Sequence, residues 1–375
     1  MKPYFIILFV NLLLSYIADR FFVQKKTIAM ISVSLIVVIN TVFSGFRDFG
    51  VGIDTTVYIN SYIESAQMLT SLKDFASFES DKGFLALAFF ASSFSNDSQS
   101  LLLVTAFFIQ FFYFCALWLF KKYNNVSLFL ATFFFCIMFY GHTLNLMRQF
   151  CALSILAYGF ANFIKGNLKV YIFCQLVAYL FHSSAIIFVI LPIVWRISFM
   201  QDKNKKNVYS ILAIVGMSVV VSSFFLLMSF LGNIGLISDF YAERYSQTGS
   251  YAARANVGGT GLGVIAVFLY PIVFVYYAKR KKAINENILH FIFVLTCFSS
   301  LLQLLTYKVT FLERVTYYIT FILFIYQAKL FSTSKINILV KFIMIAIYIY
   351  NWYALYIINK GGDIIPYKSH ILNIL

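Results

Sequence analysis

The chain has 375 residues, of which 61% are hydrophobic and 11% are charged. Soluble domains contain about 45–50% apolar and about 25% charged residues, so this composition excludes a soluble globular protein. The formal net charge is +15, but the lysines stand in short clusters between long apolar runs. That is the positive-inside pattern of a membrane protein, and we expect no nucleic-acid partner.

The apolar runs predict membrane-spanning helices, because about 20 helical residues cross the hydrocarbon core of a bilayer. In chain order they predict about twelve spans (range about 10–13). We expect an all-α, polytopic helical bundle that forms a single transmembrane domain over residues 1–375. The predicted spans are 4–18, 28–44, 100–120, 125–142, 149–165, 168–181, 184–197, 208–230, 261–278, 287–306, 311–329 and 336–358.

Two short apolar runs need a different interpretation. The run 83–95 is too short to cross comfortably, so we expect a re-entrant or surface helix within an outer loop at 45–99. The run 168–197 breaks at the polar residues His182-Ser183-Ser184, which predicts a hairpin of two short helices. The loop 231–260 and the tail 359–375 then also face outward, and both ends of the chain lie outside.

The distribution of cations predicts both orientation and ligand. The lysine clusters fall on one side of this topology, which the positive-inside rule makes cytoplasmic. Five of the eight arginines face the other side. A guanidinium binds phosphate or carboxylate bidentately, so we expect an anionic ligand at the outer face. The outward arginines are Arg47, Arg148, Arg244, Arg254 and Arg314.

The sequence lacks the common signatures of soluble enzymes. The five cysteines lie in apolar runs without CxxC spacing, and we interpret them as buried hydrophobic residues. There is no HExxH, GxSxG, Walker or GxGxxG motif. We therefore expect no cofactor and no catalytic metal.

The first candidate site follows the second predicted span. After Arg47 come Gly50 and Gly52, which permit a tight turn. Asp54 and Tyr58 follow, and their spacing of four places them on one face of a helix. A loop turn with Asp54 as a helix N-cap would explain the same residues without a ligand.

Two more candidates lie at predicted outer ends of spans. Arg148 and Gln149 begin one span, where a charge is costly unless it snorkels or is paired. The functional alternative to snorkelling is a phosphate clamp strengthened by apolar surroundings. His182 lies at the predicted hairpin tip, where it is either a structural hydrogen-bonding group or a general base.

The remaining candidates are in the second half of the chain. Arg244 and Arg254 belong to a polar loop that also carries tyrosines able to stack on sugars, although a solvated connector is the alternative. Glu313 and Arg314 form a candidate ion pair near the outer end of a span, with Tyr317 one turn later. An ion pair within a membrane indicates function, although structural pairing explains it equally well.

Together these blocks resemble the EpsG family, which is related in role to the Wzy-type polymerases of O-antigen and capsule. They occur in the family's order from about residue 44 to the end. The Arg-x-x-x-x-Gly-x-Asp-x-x-x-Tyr and His-Ser-Ser-Ala blocks are the most specific, whereas region 231–260 cannot be aligned residue by residue. The matching blocks are Arg47 to Tyr58, Met147-Arg148-Gln149, His182 to Ala185, Glu313-Arg314 and Pro366-Tyr367-Lys368.

The resemblance implies a glycosyltransferase-C-like membrane enzyme. Such an enzyme polymerises undecaprenyl-diphosphate-linked repeat units of O-antigen, capsule or exopolysaccharide, transferring the growing glycan to the non-reducing end of a new lipid-linked repeat. The implied location is the bacterial inner membrane, with the active site facing the periplasm or exterior. Expected partners are the lipid-linked glycan, the bilayer, a chain-length regulator and the flippase of the same pathway.

This reaction gives the candidates roles. Arg148 is our first choice for stabilising the departing diphosphate. His182 or Asp54 would take the proton of the acceptor hydroxyl, with a slight preference for His182. We expect substrate binding by Arg47, Tyr58, Gln149, Arg244, Arg254, Glu313, Arg314 and Tyr317.

Three other functions are alternatives. A flippase for lipid-linked oligosaccharide needs charged residues along a path through the membrane, whereas here they gather near one face. An O-antigen ligase would use the same outward arginines and histidine, so the sequence does not separate it from a polymerase. A membrane O-acyltransferase is the weakest alternative.

Overall fold

The structure is a computed structural model that describes residues 1–69, 72–78, 81–95, 97–223, 262–306 and 312–374, together with residues 230 and 233. These residues are almost entirely helical, and an isolated β-bridge joins Ser369 to Ile374. The all-helical fold class is confirmed for this part of the chain.

The α-helices of the described chain follow one another from the N-terminus to the C-terminal tail. A 3₁₀ helix, Ser183–Val189, separates α10 from α11, and a π-helical turn, Ala354–Ile358, follows α16. The α-helices are α1 Lys2–Phe21, α2 Lys26–Gly45, α3 Ile53–Gln67, α4 Leu72–Ser77, α5 Lys82–Ser92, α6 Ser98–Asn124, α7 Leu128–Met138, α8 Tyr140–Asn145, α9 Met147–Ile164, α10 Leu168–Phe181, α11 Ile190–Ser198, α12 Lys203–Ser222, α13 Leu262–Arg280, α14 Glu286–Thr306, α15 Leu312–Ser332 and α16 Ile338–Tyr353.

Six described helices are long and apolar enough to cross a membrane. Large apolar side chains on α1 point outward, including Phe5, Ile6 and Phe9, which are 53%, 62% and 68% exposed. Such a surface is stable in lipid and not in water. The protein is a membrane protein, and the total of about twelve spans stays a prediction. The six segments are Lys2–Phe21, Lys26–Gly45, Ser98–Asn124, Glu286–Leu304, Arg314–Ser332 and Ile338–Ile358.

One predicted span is interrupted in the structure, and one predicted break is confirmed. The run predicted as one span at 125–142 forms α7 and α8, which are separated at Phe139 by a backbone with φ −129°. The run 168–197 forms α10, the 3₁₀ helix and α11, and its break falls at His182, whose backbone is extended. The break at His182 is the one that the polar residues predicted, whereas hydropathy did not predict the break at Phe139.

The chain divides into two compact units. The first contains residues 1–186, 324–332 and 337–375, and the second contains residues 187–323 and 333–336. In the first unit α9 is the central helix, because nearly all its side chains are buried. Its small residues allow close packing, as at Gly159, where an added Cβ would lie 2.6 Å from the Cβ of Cys174 on α10.

Several basic clusters meet at one end of the first unit. Lys121 forms a 2.7 Å ion pair with Asp19, and Asp19 also accepts a hydrogen bond from Ser127. Lys329 donates a hydrogen bond to the carbonyl of Asn124. The lysines near residues 121 and 329, which lie far apart in sequence, therefore share one end, as a common membrane side requires.

Candidate active site

Arg47 connects the end of α2 to α3 and α8. It is 1% exposed. Its Nε donates to the carbonyl of Val51 at 3.2 Å, Nη1 donates to the carbonyl of Ser44, and Nη2 donates to the carbonyl of Leu144 at 2.9 Å. Nη2 also approaches Thr55 Oγ1 at 3.2 Å. The guanidinium thus replaces water for carbonyls at the C-terminal ends of α2 and α8 and in the turn before α3.

The surroundings of Arg47 leave little room for a ligand. The cavity that Arg47 lines with Thr105 and Gln110 has a volume of about 10 Å³, which accommodates about one water molecule. Burial lowers the pKa of Arg47 to about 10, so it remains charged at neutral pH. This geometry favours a positioning role for Arg47 over the direct substrate contact that we expected from the sequence.

The turn between α2 and α3 depends on Gly52. Its φ is +98°, and an added Cβ would lie 2.5 Å from the carbonyl oxygen of Leu144. Its N–H donates to the carbonyl of Asp363 in the tail at 3.2 Å. A side chain at this position would meet backbone that cannot move aside easily, so glycine is required here.

The C-terminal tail packs against the same turn. The ring of Tyr367 stacks on Phe43 at 4.0 Å, and its hydroxyl donates to the carbonyl of Phe43 at 2.6 Å. Asp48 N–H donates to the carbonyl of Lys368 at 2.9 Å, and the carboxylate of Asp48 lies 2.7 Å from Nδ1 of His370. The Pro366-Tyr367-Lys368 block therefore holds the turn that contains Arg47.

Arg148 lies in the first turn of α9 and contacts residues from two other elements. Its Nη1 lies 2.6 Å from Oδ2 of Asp81, immediately before α5, and 3.3 Å from the hydroxyl of Tyr62 on α3. The centre of the guanidinium lies 3.8 Å from the ring centroid of Tyr58, also on α3. This is an ion pair combined with a cation–π contact.

The electrostatics of this cluster keep Arg148 charged and make Asp81 unusually basic. Burial raises the pKa of Asp81 to about 6, although the charge of Arg148 opposes the shift. Burial alone would lower the pKa of Arg148, but Asp81, Tyr62 and Tyr58 raise it above its usual value. The side chains of Arg148 and Asp81 are 19% and 14% exposed, so the pair is shielded but accessible.

In the described part of the chain, only one of the three nitrogens of the Arg148 guanidinium donates to a protein acceptor. In the described part of the chain, Asp81 and Tyr62 both accept from Nη1, and no protein acceptor lies within hydrogen-bond distance of Nε or Nη2. By contrast, Arg47 uses all three of its nitrogens within the protein. Arg148 can therefore bind an anion without first losing its protein contacts.

The two candidate bases lie at the same end of the first unit. Asp54 is one helical turn before Tyr58 on α3, and its N–H donates to Oδ1 of Asn145 at 2.9 Å. His182 directly follows Phe181, and an added Cβ on Gly83 would lie 2.8 Å from the ring of Phe181. The end of α10 that carries His182 therefore packs two residues from Asp81.

The other predicted site residues are not joined to this cluster by any described contact. Gln149 is 2% exposed, so it points away from the accessible surface. Arg314 and Tyr317 lie on α15 in the second unit, and Tyr317 is 8% exposed. Glu313 belongs to the first turn of α15. Arg244, Arg254 and nearly all of the loop 231–260 lie outside the described residues.

Asp81 is the member of the cluster that sequence analysis missed. It lies in a polar stretch before a short apolar helix, where an aspartate is ordinarily explained as an N-cap. No spacing in the sequence links it to Arg148, which is 67 residues away.

Comparison with protein families matches residues 30–369 to the EpsG family. The matched region includes the turn around Arg47, the cluster around Arg148, His182 and the Tyr367 tail. The chain belongs to the EpsG family. EpsG is a family of Wzy-type polysaccharide polymerases, so a glycosyltransferase-like polymerase activity is the family's general function. No curated protein and no solved structure matches this EpsG chain.

Proposed function

We propose that this protein polymerises repeat units linked to undecaprenyl diphosphate, transferring the growing glycan to the non-reducing end of a new lipid-linked repeat. The observation that carries the proposal is the state of Arg148: a charged, partly exposed guanidinium whose Nε and Nη2 have no hydrogen-bond acceptor among the described residues. Such a group suits a diphosphate, since bidentate phosphate binding by Arg is strong and directional. The family's general function agrees with this chemistry.

In the proposed reaction, the bond between the anomeric carbon and the lipid diphosphate breaks while the acceptor hydroxyl attacks that carbon. Arg148 stabilises the negative charge that grows on the departing diphosphate. The ring of Tyr58, which lies against Arg148, limits the movement of the guanidinium, and other aromatic side chains at this end can stack on sugars. A base must remove the acceptor proton, and His182 and Asp54 are the sequence-based candidates.

We propose that this site faces the exterior of a bacterial inner membrane. The support is the position of the basic clusters: Lys121 pairs with Asp19 and Lys329 bonds to Asn124. Lys165, at the end of α9 opposite Arg148, lies 5.9 Å from the ring centroid of Tyr123 at this same basic end. The positive-inside rule makes a lysine-rich end cytoplasmic. Arg244, Arg254, Glu313, Arg314 and Tyr317 stay predictions as further substrate-binding residues, as do the chain-length regulator and flippase as partners.

The experiment is deletion of the gene followed by electrophoresis of the surface polysaccharide. We expect a single repeat unit in place of a ladder, because a repeat can still be exported but not extended. Arg148→Ala should reproduce the single unit, while Arg20→Ala, which removes an exposed arginine from the basic end, should leave the ladder intact. Loss of all repeat units on deletion would instead indicate a flippase or a ligase.

A further inference from the structure

Asp81 occupies a helix N-cap but does not cap the helix. Its carbonyl accepts the first bonds of α5, from the N–H groups of Phe84 at 3.0 Å and Leu85 at 3.1 Å. Its carboxylate makes no bond to that helix. The aspartate before α6 behaves normally: Asp97 accepts from the N–H of Gln99 at 3.0 Å. A side-chain cap typically stabilises a helix by about 1 kcal/mol. Asp81 lacks this stabilising bond because its carboxylate faces Arg148 instead.

Among the described residues, only one of the two carboxylate oxygens of Asp81 accepts a hydrogen bond. Oδ2 lies 2.6 Å from Nη1 of Arg148. No donor in the described part of the chain bonds to Oδ1, and that atom is not among the fully buried polar atoms without a partner. Among the described residues, Oδ1 therefore has no hydrogen-bond donor, and the side chain of Asp81 is 14% exposed beside Arg148.

We propose that Asp81 is the general base of the polymerisation, accepting the proton of the acceptor sugar's hydroxyl while Arg148 holds the departing diphosphate. This inference rests on the proposed function. The acceptor oxygen forms a bond to the anomeric carbon, and its proton moves to the carboxylate of Asp81. The bond from that carbon to the diphosphate oxygen breaks, and its electron pair leaves with the lipid diphosphate. No oxidant, reductant or further reactant is needed.

The ion pair couples the proton affinity of Asp81 to the binding of diphosphate by Arg148. A bound diphosphate competes with Asp81 for the guanidinium, because both are anions and the diphosphate can also reach Nε and Nη2. A diphosphate bound at Nε and Nη2 shares the positive charge of Arg148, so this charge stabilises the Asp81 carboxylate less and Asp81 becomes a better proton acceptor. A pKa of about 6 already suits a base that works near neutral pH.

Other ionisable groups surround Asp81 from each neighbouring element. Arg148 comes from α9 and Tyr62 from α3, and His182 follows the end of α10 that packs on Gly83. Asp81 is the one of the three candidate bases that has a direct contact with Arg148 among the contacts described above. The described contacts of Arg148 are with Asp81, Tyr62 and Tyr58, and Asp81 is the carboxylate among them. The geometry therefore assigns the base to Asp81.

The test uses the full-length protein in nanodiscs, supplied with the lipid-linked repeat units that accumulate in the deletion strain. We expect Asp81→Asn to lower the rate of elongation about 100-fold or more, because the amide oxygen still accepts from Arg148 but takes up no proton. Asp97→Asn should keep the wild-type rate, since asparagine is an equally good N-cap. Asp81→Glu should recover part of the rate, because it restores a carboxylate.

Two further readouts separate a base from a positioning residue. Asp81→Asn should bind undecaprenyl diphosphate as tightly as the wild type or more tightly, because a competing anion is gone, whereas a collapsed site would bind it more weakly. The kcat/KM of the wild type, which reports the free protein, should fall as the pH drops below about 6, where Asp81 becomes protonated. This decrease at low pH, the acidic limb of the pH profile, should be absent from the residual activity of Asp81→Asn.

Particular results overturn the inference. If Asp81→Asn elongates at the wild-type rate while Arg148→Ala does not, Asp81 is not the base, although the proposed polymerase stands. The same conclusion holds if His182→Gln or Asp54→Asn removes the acidic limb and Asp81→Asn keeps it. If the wild-type protein itself does not extend lipid-linked repeats, the polymerase proposal and the Asp81 inference both fail.

Discussion

Replacing Arg47 with alanine should destabilise the protein by about 2–6 kcal/mol. The guanidinium donates to the carbonyls of Ser44, Val51 and Leu144, all of which are buried. A buried acceptor left without a donor costs about 1–3 kcal/mol. The hydroxyl of Thr55 lies 3.1 Å from the Val51 carbonyl and 3.2 Å from the Leu144 carbonyl, so it can rescue one of the two. At least two carbonyls therefore remain unpaired.

The assay is thermal unfolding in detergent, followed by intrinsic fluorescence, alongside the polysaccharide ladder in cells. We expect Arg47→Ala to lower the unfolding midpoint and to shorten the ladder, because α3 carries Tyr58 and Tyr62 and would lose its anchor. Arg20→Ala, at an exposed arginine, is the matched control and should change neither. An Arg47→Ala protein with an unchanged midpoint and no ladder would refute the reasoning and indicate direct contact with substrate.

Two further predictions concern neighbouring positions. Gly52→Ala should lower the unfolding midpoint, since the methyl group would lie 2.5 Å from the Leu144 carbonyl at φ +98°, while Gly50→Ala has open space and should be neutral. Equal midpoints for the two variants would contradict this. Tyr58→Ala should raise KM about 2- to 30-fold through loss of a cation–π contact worth about 0.5–2 kcal/mol. Tyr58→Phe keeps the ring and should behave like wild type, and a defect in this variant would assign the effect to the hydroxyl.

Much of the fold followed from properties that depend on local sequence. Length and apolar content required lipid-facing helices, and the break in the run 168–197 was predicted at His182, where the polar residues interrupt the hydrophobic run. The division of 125–142 into α7 and α8 was not predicted, because Phe139 and its neighbours are apolar. Hydropathy indicates whether a segment lies in lipid or in water, but it does not reveal a helix break that packing imposes.

The site was partly predictable for the same reason. Asp54 and Tyr58 share a helix face because their spacing fixes it, and the tail contact made by Tyr367 involves a block that the family resemblance had already named. Asp81 was missed because its contact with Arg148 depends on the approach of the start of α5 to α9, which the spacing of residues in the sequence does not encode. The sequence does not distinguish an aspartate that caps a helix from one that acts as a base, because the difference lies in the direction of the carboxylate.

Arg47 and Arg148 show why residue type alone does not identify a ligand site. Both are arginines near predicted outer span ends, and both were assigned to an anion. Arg47 uses all three nitrogens on protein acceptors within a site that holds about one water, whereas Arg148 uses Nη1 alone and has a carboxylate partner. A buried guanidinium with satisfied donors stabilises the backbone around it. A guanidinium with donors that no described residue uses is suited to bind and release a substrate at each turnover, and this difference in hydrogen bonding, more than the shared charge, is why we propose the chemistry at Arg148.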